Sequence, residues 1–199
     1  MTLTERVREL TRPLLDATGR ALHQLGVHPD VITWLGLLIT ACASLLLSQG
    51  YLQAGGLLLL LGLPFDALDG AVARVRAAET GQTQRFGAVL DSTLDRYADG
   101  FIFIALGYYF AVQGHLDLLL LALIAMLGSL LVSYVRARAD GVNVQATVGL
   151  FTRLERIIVI LLILLIPALL AWGLLLLAIG THLTALQRLY YVSKQLNQN

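Results

Sequence analysis

Residues 54–78 read AGGLLLLLGLPFDALDGAVARVRAA, an apolar run that continues without a break into a charged segment. Residues 54–64 carry no charge, whereas the segment that follows contains Asp66, Asp69 and Arg74. An acidic side chain at the centre of a membrane helix costs about 2.5–3.5 kcal/mol on insertion scales, so such residues mark functional sites by default. The pattern therefore predicts a membrane helix whose polar end lines a site.

The composition of the whole chain is that of a protein dissolved largely in lipid. Of its 199 residues, 57% are apolar and 14% are charged, whereas a soluble domain has roughly 45–50% apolar and about 25% charged residues. The single cysteine, Cys42, excludes an intrachain disulfide and has no His or Cys at metal-ligand spacing. The chain is therefore expected to be an all-α integral membrane protein.

Six transmembrane helices are predicted, each near the roughly 20 residues that cross a bilayer. They cover residues 31–48, 54–78, 86–112, 116–134, 152–170 and 172–194. The turns at 49–53, 113–117 and 171–173 contain no Lys or Arg, so all 14 basic residues fall in segments facing the opposite side. Because Lys and Arg favour the cytoplasmic side, we expect a multi-pass protein of the cell (inner) membrane, with both termini and the polar site in the cytoplasm.

Residues 1–27 precede this six-helix domain, which is predicted to cover 28–199, and have a different pattern. Their apolar residues recur near helical spacing, while their arginines lie elsewhere on the helical wheel. The pattern indicates an N-terminal amphipathic interfacial helix on the membrane surface. The alternative is a soluble arm packed on the domain. A signal peptide is not expected, because Arg and Glu occur throughout the segment.

Four aspartates are predicted to converge at one membrane face. Asp66 and Asp69 lie three apart on one helix, and Asp91 and Asp95 lie four apart on the next, so each pair shares a helix face. The two helices should be antiparallel neighbours, because residues 79–85 form a polar turn between them. Oxygen ligands without Cys or His favour Mg²⁺, Mn²⁺ or Ca²⁺, and one or two such ions would relieve the repulsion. The alternative is a network with nearby arginines: Arg74, Arg76, Arg85 and Arg96.

Residues 66–74, DALDGAVAR, and residues 87–95, GAVLDSTLD, together resemble the CDP-alcohol phosphotransferase signature, D-x-x-D-G-x-x-A-R followed by G-x-x-x-D-x-x-x-D. Residues 75–86 separate the two parts, where the family usually has about eight residues. We expect the additional residues in a cytoplasmic turn at 77–82. The hydropathy layout agrees with that of the family over essentially the whole chain.

The resemblance implies an enzyme that transfers a phosphatidyl group from a CDP-lipid and releases CMP. The implied site comprises metal ligands Asp66, Asp69, Asp91 and Asp95, CDP-binding residues Asp69, Gly70, Ala73 and Arg74, and Asp95 as catalytic general base. Mg²⁺ is the expected cofactor and Mn²⁺ its alternative, with two ions bound. The family also implies a homodimer, and nucleic acid is not expected as a partner.

Residues 28–33, HPDVIT, are similar to the family's P-N-x-x-T at the start of the first span, with Asp30 in place of Asn. Thr33 is accordingly a candidate for binding CDP. The alternative is an ordinary helix N-cap by Asp30.

Three arginines are candidates for binding the phosphate of the acceptor: Arg136 in 133–138, Arg153 in 149–156 and Arg188 in 184–188. A guanidinium presents a planar fork that matches phosphate, although each arginine could instead anchor a helix end to lipid headgroups. The three segments together resemble the branch of the family that uses inositol 1-phosphate. They favour a phosphorylated polyol as acceptor, with glycerol 3-phosphate as the alternative to inositol 1-phosphate.

Two other classes of function are less consistent with the sequence. An ion-coupled transporter would place its acids near the membrane midplane, usually between repeats, and no inverted repeat is visible. A noncatalytic scaffold would not need the complete motif that this chain retains.

Overall fold

A computed structural model describes residues 3–80 and 85–197, and within these ranges all regular secondary structure is helical. The α-helices are α1 (Leu3–Gln24), α2 (Pro29–Ser48), α3 (Leu52–Thr80), α4 (Arg85–Val112), α5 (Leu116–Asp140), α6 (Arg153–Leu165) and α7 (Leu170–Leu196), with a 3₁₀ turn at Pro167–Leu169 before α7. The all-α prediction is confirmed for the described residues.

Four helical segments are long and apolar enough to cross a membrane: Pro29–Ser48, Leu52–Glu79, Leu116–Asp140 and Pro167–Leu196. They support a multi-pass membrane protein. Helix α4 carries acids as far as Asp99, which leaves an uncharged run at 100–112 that is shorter than the roughly 20 residues of a full span. Helix α6 has only 13 residues. Length and composition therefore identify four of the six predicted spans.

The predicted boundary between the fifth and sixth spans was wrong. Helix α6 ends at Leu165, the 3₁₀ turn occupies Pro167–Leu169, and α7 begins at Leu170. The turn therefore lies before residue 170, and not at 171–173. Proline lacks a backbone N–H and its ring clashes with the preceding turn, so a helix that reaches Pro167 ends just before it. The turn still contains no Lys or Arg.

The boundary between α3 and α4 also differs from the prediction. Helix α3 continues through Thr80, and α4 begins at Arg85. Residues 77–80, where the additional residues of the motif spacing were expected to form a turn, are therefore helical, and residues 81–84 lie outside the described ranges. The small and charged residues before Thr80, such as Ala77 and Ala78, favour continued helix.

The chain divides into two compact units, and three of the helices contribute to both. The first unit comprises Met1–Cys42 and Leu58–Ala98. Within it, α1 packs on α3: Gly19 is buried, and a Cβ at this position would lie 3.0 Å from the Cβ of Ala71. A helix is present where the N-terminal helix was predicted, and this contact agrees with the alternative of an arm packed on the domain. Its position at the membrane surface stays a prediction.

The second unit comprises Ala43–Leu57 and Asp99–Asn199, and it contains a buried charged cluster. Asp99 Oδ2 accepts hydrogen bonds from the Ser129 hydroxyl at 2.7 Å and from Arg156 Nη2 at 3.0 Å, and all three residues are buried. The cluster joins α4, α5 and α6. A buried charge is stable only when it is paired and hydrogen-bonded, and Arg156 meets that condition for Asp99.

Candidate functional site

Helices α3 and α4 bring three of the predicted metal ligands together in the first unit. One carboxylate oxygen from each of Asp66, Asp91 and Asp95 lies within 4.8 Å of the other two. Two oxygens bound to one divalent ion at about 2.0–2.6 Å are at most about 5.2 Å apart. The three carboxylates therefore fit around a single cation, and an all-oxygen donor set suits Mg²⁺, Mn²⁺ or Ca²⁺.

The fourth predicted ligand, Asp69, is buried beside this group and is oriented by α2. Its Oδ2 accepts a hydrogen bond of 2.8 Å from the hydroxyl of Thr33, and its Oδ1 lies 2.5 Å from the backbone N–H of Gly70. Asp69 lies close enough to Asp66 and Asp91 for their negative charges to repel one another. Its metal-binding role stays a prediction, but its carboxylate is held in place next to the three that converge.

The structure bears on one of the two interpretations of residues 28–33, the N-cap by Asp30. Helix α2 begins at Pro29, so Asp30 lies inside its first turn and does not precede the helix as an N-cap would. Thr33 is instead joined to the motif. Whether it touches nucleotide stays a prediction.

The predicted CDP-binding residues follow Asp69 along α3. A Cβ at Gly70 would find Arg74 Nη1 at 3.5 Å, which is ordinary van der Waals contact, so packing among the described residues does not require a glycine here. Ala73 is half-buried one turn further on. Arg74 Nη2 donates to Asp16 Oδ1 at 3.1 Å, a partner on α1 that sequence reasoning missed.

Part of the alternative arginine network is present as well. Arg96 Nη1 lies 3.5 Å from Asp95 Oδ2, and it also donates to the backbone carbonyl of Ser92. Arg96 is the residue next to Asp95 on α4. The ion pair does not separate Asp95 from Asp66 and Asp91. Arg96 therefore lies at the edge of the acidic cluster.

The three predicted acceptor arginines belong to the second unit and differ in their surroundings. Arg136 is exposed near the end of α5, and Arg153 is half-buried at the start of α6. Arg188 is buried in α7, where Nε donates to the carbonyl of Val148 at 2.9 Å and Nη1 to that of Val132 at 2.8 Å. Arg136 and Arg188 lie close enough for their positive charges to repel each other. Arg188 thus holds the loop before α6 as well as being a candidate ligand.

The loop that leads into Arg153 is fastened to α7 by a second residue that sequence reasoning missed, Thr184. The backbone N–H of Phe151 donates to the Thr184 hydroxyl at 3.0 Å. Gly149, with φ of +127°, packs against the same side chain, and the absence of a side chain at Gly180 makes room for the Phe151 ring. Thr184 and Arg188 lie four residues apart on α7, and both bond to the loop before α6. Their spacing in the sequence does not by itself reveal that they hold the same loop.

Known proteins match the part of the chain that contains the acidic cluster. The family model described as CDP-alcohol phosphatidyltransferase matches residues 26–186. The chain is similar to phosphatidylinositol phosphate synthase of Mycobacteroides abscessus, with 42% identity over 79% of this chain and 69% of the relative. It is also similar to archaetidylinositol phosphate synthase of Methanothermobacter thermautotrophicus, with 36% identity over 96% and 92%.

Solved structures of phosphatidylinositol phosphate synthase from Mycobacterium tuberculosis share the fold. The structure with bound CDP-DAG superposes with a TM-score of 0.82 at 35% identity, covering 90% of this chain and 94% of that one. A structure of the same enzyme in complex with manganese and citrate gives a TM-score of 0.80, covering 89% and 88%.

Proposed function

The chain belongs to the CDP-alcohol phosphatidyltransferase family, and on that premise we propose that it transfers the phosphatidyl group of CDP-diacylglycerol, or of a similar CDP-lipid, to inositol 1-phosphate. CMP is the leaving product. The observation that carries the proposal is the convergence of Asp66, Asp91 and Asp95 within 4.8 Å. Such a carboxylate group suits a reaction in which a diphosphate must be bound and cleaved.

The metal-binding part of the proposal assigns Asp66, Asp69, Asp91 and Asp95 to two divalent ions, Mg²⁺ or Mn²⁺. The spacing of the three convergent carboxylates and the manganese complex named for the solved relative support it. When bound, the ions would neutralise the diphosphate and the CMP leaving group.

The chemical step assigned to this chain's own residues is a proton transfer. The acceptor hydroxyl oxygen bonds to the lipid-side phosphorus, the bond between that phosphorus and the CMP oxygen breaks, and the hydroxyl proton passes to a carboxylate oxygen of Asp95. This role requires the acceptor hydroxyl to bind within hydrogen-bond reach of Asp95, as for any general base. Gly70, Ala73 and Arg74, with Asp69 and Thr33, would hold the CDP moiety.

Acceptor recognition is assigned to Arg136, Arg153 and Arg188. Their basic charge and the planar guanidinium suit the phosphate of a phosphorylated polyol. The names of the relatives favour inositol 1-phosphate, with glycerol 3-phosphate as the acceptor to exclude. Arg188 would act from a fixed position, because two backbone carbonyls already orient its guanidinium.

We also propose the arrangement in the membrane: six crossings in the domain at 28–199, an interfacial α1 within 1–27, and both termini and the site in the cytoplasm of a cell (inner) membrane protein. The support is charge placement: the turn corrected to 166–169 is as free of Lys and Arg as those at 49–51 and 113–115. A homodimer is proposed from family membership.

The test is CMP release by the full-length protein in detergent, with CDP-diacylglycerol and Mg²⁺ or Mn²⁺. Parallel reactions contain inositol 1-phosphate, glycerol 3-phosphate, inositol or serine. CMP formation with inositol 1-phosphate alone supports the proposal, and formation with glycerol 3-phosphate alone replaces the acceptor. If folded protein releases no CMP with any acceptor, the proposed activity is wrong.

A further inference from the structure

Helix α1 supplies an acidic residue to the part of the site assigned to CDP. We propose that Asp16 is a positioning residue that orients Arg74 for binding the CDP-lipid. The inference rests on the proposed function of residues 66–95. Asp16 itself lies before residue 26, where the match to the family model begins.

The first observation is the ion pair itself. Asp16 Oδ1 and Arg74 Nη2 are 3.1 Å apart, and the side chains are 29% and 46% exposed. An unrestrained arginine side chain samples many rotamers, and fixing one of them on phosphate binding costs conformational entropy. A carboxylate that holds one nitrogen of the planar guanidinium fixes the directions of the others.

The second observation is where the held guanidinium lies. Its other terminal nitrogen, Nη1, is 3.5 Å from the position that a Cβ of residue 70 would occupy. At Gly70, unlike Gly55 and Gly56 of the same helix, no described residue lies close enough to exclude a side chain. One side of the guanidinium therefore faces Asp16, and the other lies over the surface assigned to the nucleotide.

The third observation is that α1 is docked by contacts other than this ion pair. Gly19 packs against Ala71 with a virtual Cβ–Cβ distance of 3.0 Å, and His23 Nε2 lies 2.8 Å from Glu79 Oε2. Together with Asp16, these residues place three contacts along the second half of α1. The carboxylate of Asp16 is thus presented from a fixed helix, which is what a positioning residue requires.

The experiment compares Asp16→Asn with Asp117→Asn, an exposed aspartate at the start of α5. Asp16→Asn should raise the KM for CDP-diacylglycerol about two- to fivefold, the size expected from one partly exposed ion pair. The kcat and the KM for inositol 1-phosphate should not change. Asp16→Glu should restore most of the affinity, and Asp117→Asn should leave all three values unchanged.

A double-mutant cycle separates positioning of Arg74 from general support of the fold. In an Arg74→Gln background, Asp16→Asn should cause no further change in the KM for CDP-diacylglycerol, because the two residues act as one unit. Gly19→Leu, which forces α1 away from Ala71, should reproduce the rise in a chain that keeps both charged residues. Additive effects in the cycle, or an equal rise in the KM of both substrates, would overturn the inference.

A second readout does not depend on turnover: stabilisation of the protein against heat by CDP in the presence of Mn²⁺. The CDP-dependent rise in Tm should be smaller in Asp16→Asn than in the wild type or in Asp117→Asn. If the wild type turns over and Asp16→Asn matches it in KM and in Tm shift, only the positioning role fails. If the wild type neither releases CMP nor gains stability from CDP, the proposed function fails and the inference falls with it.

Discussion

The hydroxyl of Thr33 donates a hydrogen bond of 2.8 Å to Oδ2 of Asp69, and so joins the start of α2 to the polar end of α3. Asp69 is buried with 5% of its surface exposed, while Asp66, one turn earlier, is exposed. The two acids of one motif therefore have different environments. Asp69 is a proposed metal ligand, and removing a group that orients a metal ligand typically lowers metal affinity or activity by about 10- to 100-fold.

Replacing Thr33 with valine should weaken metal binding. The change removes the hydrogen bond to Asp69 at nearly constant volume, and the Mn²⁺ concentration for half-maximal CMP release should rise by about 10- to 100-fold. Thr40→Val is the matched control, because the Thr40 hydroxyl bonds to the carbonyl of Gly36 within α2. Equal metal dependence in the two variants would contradict a role for Thr33 in orienting Asp69.

Asp95→Asn should abolish turnover while largely sparing binding of CDP-diacylglycerol. An amide cannot accept the proton of the acceptor hydroxyl, and general-base catalysis contributes about 10²- to 10⁴-fold to rate. Single-turnover CMP release measures the loss, and binding of CDP-diacylglycerol is measured separately in the presence of Mn²⁺. Near-normal turnover in a folded Asp95→Asn protein would remove Asp95 from the role of base.

Arg153→Ala should raise the KM for inositol 1-phosphate more than that for CDP-diacylglycerol. The half-buried guanidinium at the start of α6 is the group whose loss should act on the acceptor, and a hydrogen bond to a charged group contributes about 1.5–3 kcal/mol, roughly 10- to 150-fold in KM. Arg138→Ala, an exposed position at the end of α5, is the control. An equal rise in both KM values would exclude a role in acceptor binding.

Arg156→Leu should destabilise the second unit. The substitution removes the guanidinium that pairs with the buried carboxylate of Asp99, which keeps its hydrogen bond from Ser129. Breaking a buried ion pair from one side costs about 3–5 kcal/mol. The expected result is a large fall in Tm in detergent. The double variant Asp99→Leu/Arg156→Leu should recover part of that loss, because no unpaired charge remains. A double variant less stable than Arg156→Leu would contradict this explanation.

Much of the site follows from helical periodicity. The i, i+4 spacing of Asp91 and Asp95 placed both on one face of α4, and the structure brings them together with Asp66. The i, i+3 spacing of Asp66 and Asp69 was a weaker guide to whether their side chains point in the same direction. Three residues turn an α-helix about 300°, which leaves about 60° between their side chains, so Asp69 faces α2 while Asp66 faces α4.

The break between α6 and α7 shows that a helix-ending residue, Pro167, can be obscured by the apolar composition around it. Pro167 marks the end of α6, yet the apolar run continues past it without a polar residue, so the sequence pattern placed the turn at 171–173 instead. Composition alone does not reveal that the helix breaks there. For α4, the acids that build the site also shorten its apolar part, so one feature both identifies the function and obscures the span.

The sequence by itself determined that this protein is helical and membrane-embedded, and that its acids lie at helical spacings typical of a metal-dependent phosphatidyltransferase. Lipid solubility and the rotation per residue are local properties, and they can be read from the order of side chains. Only the tertiary structure decided the pairs Thr33–Asp69, Asp16–Arg74 and Asp99–Arg156. Each pair joins residues at least 36 positions apart in the chain, and which of them meet depends on how neighbouring helices cross and rotate against one another, which no local pattern specifies.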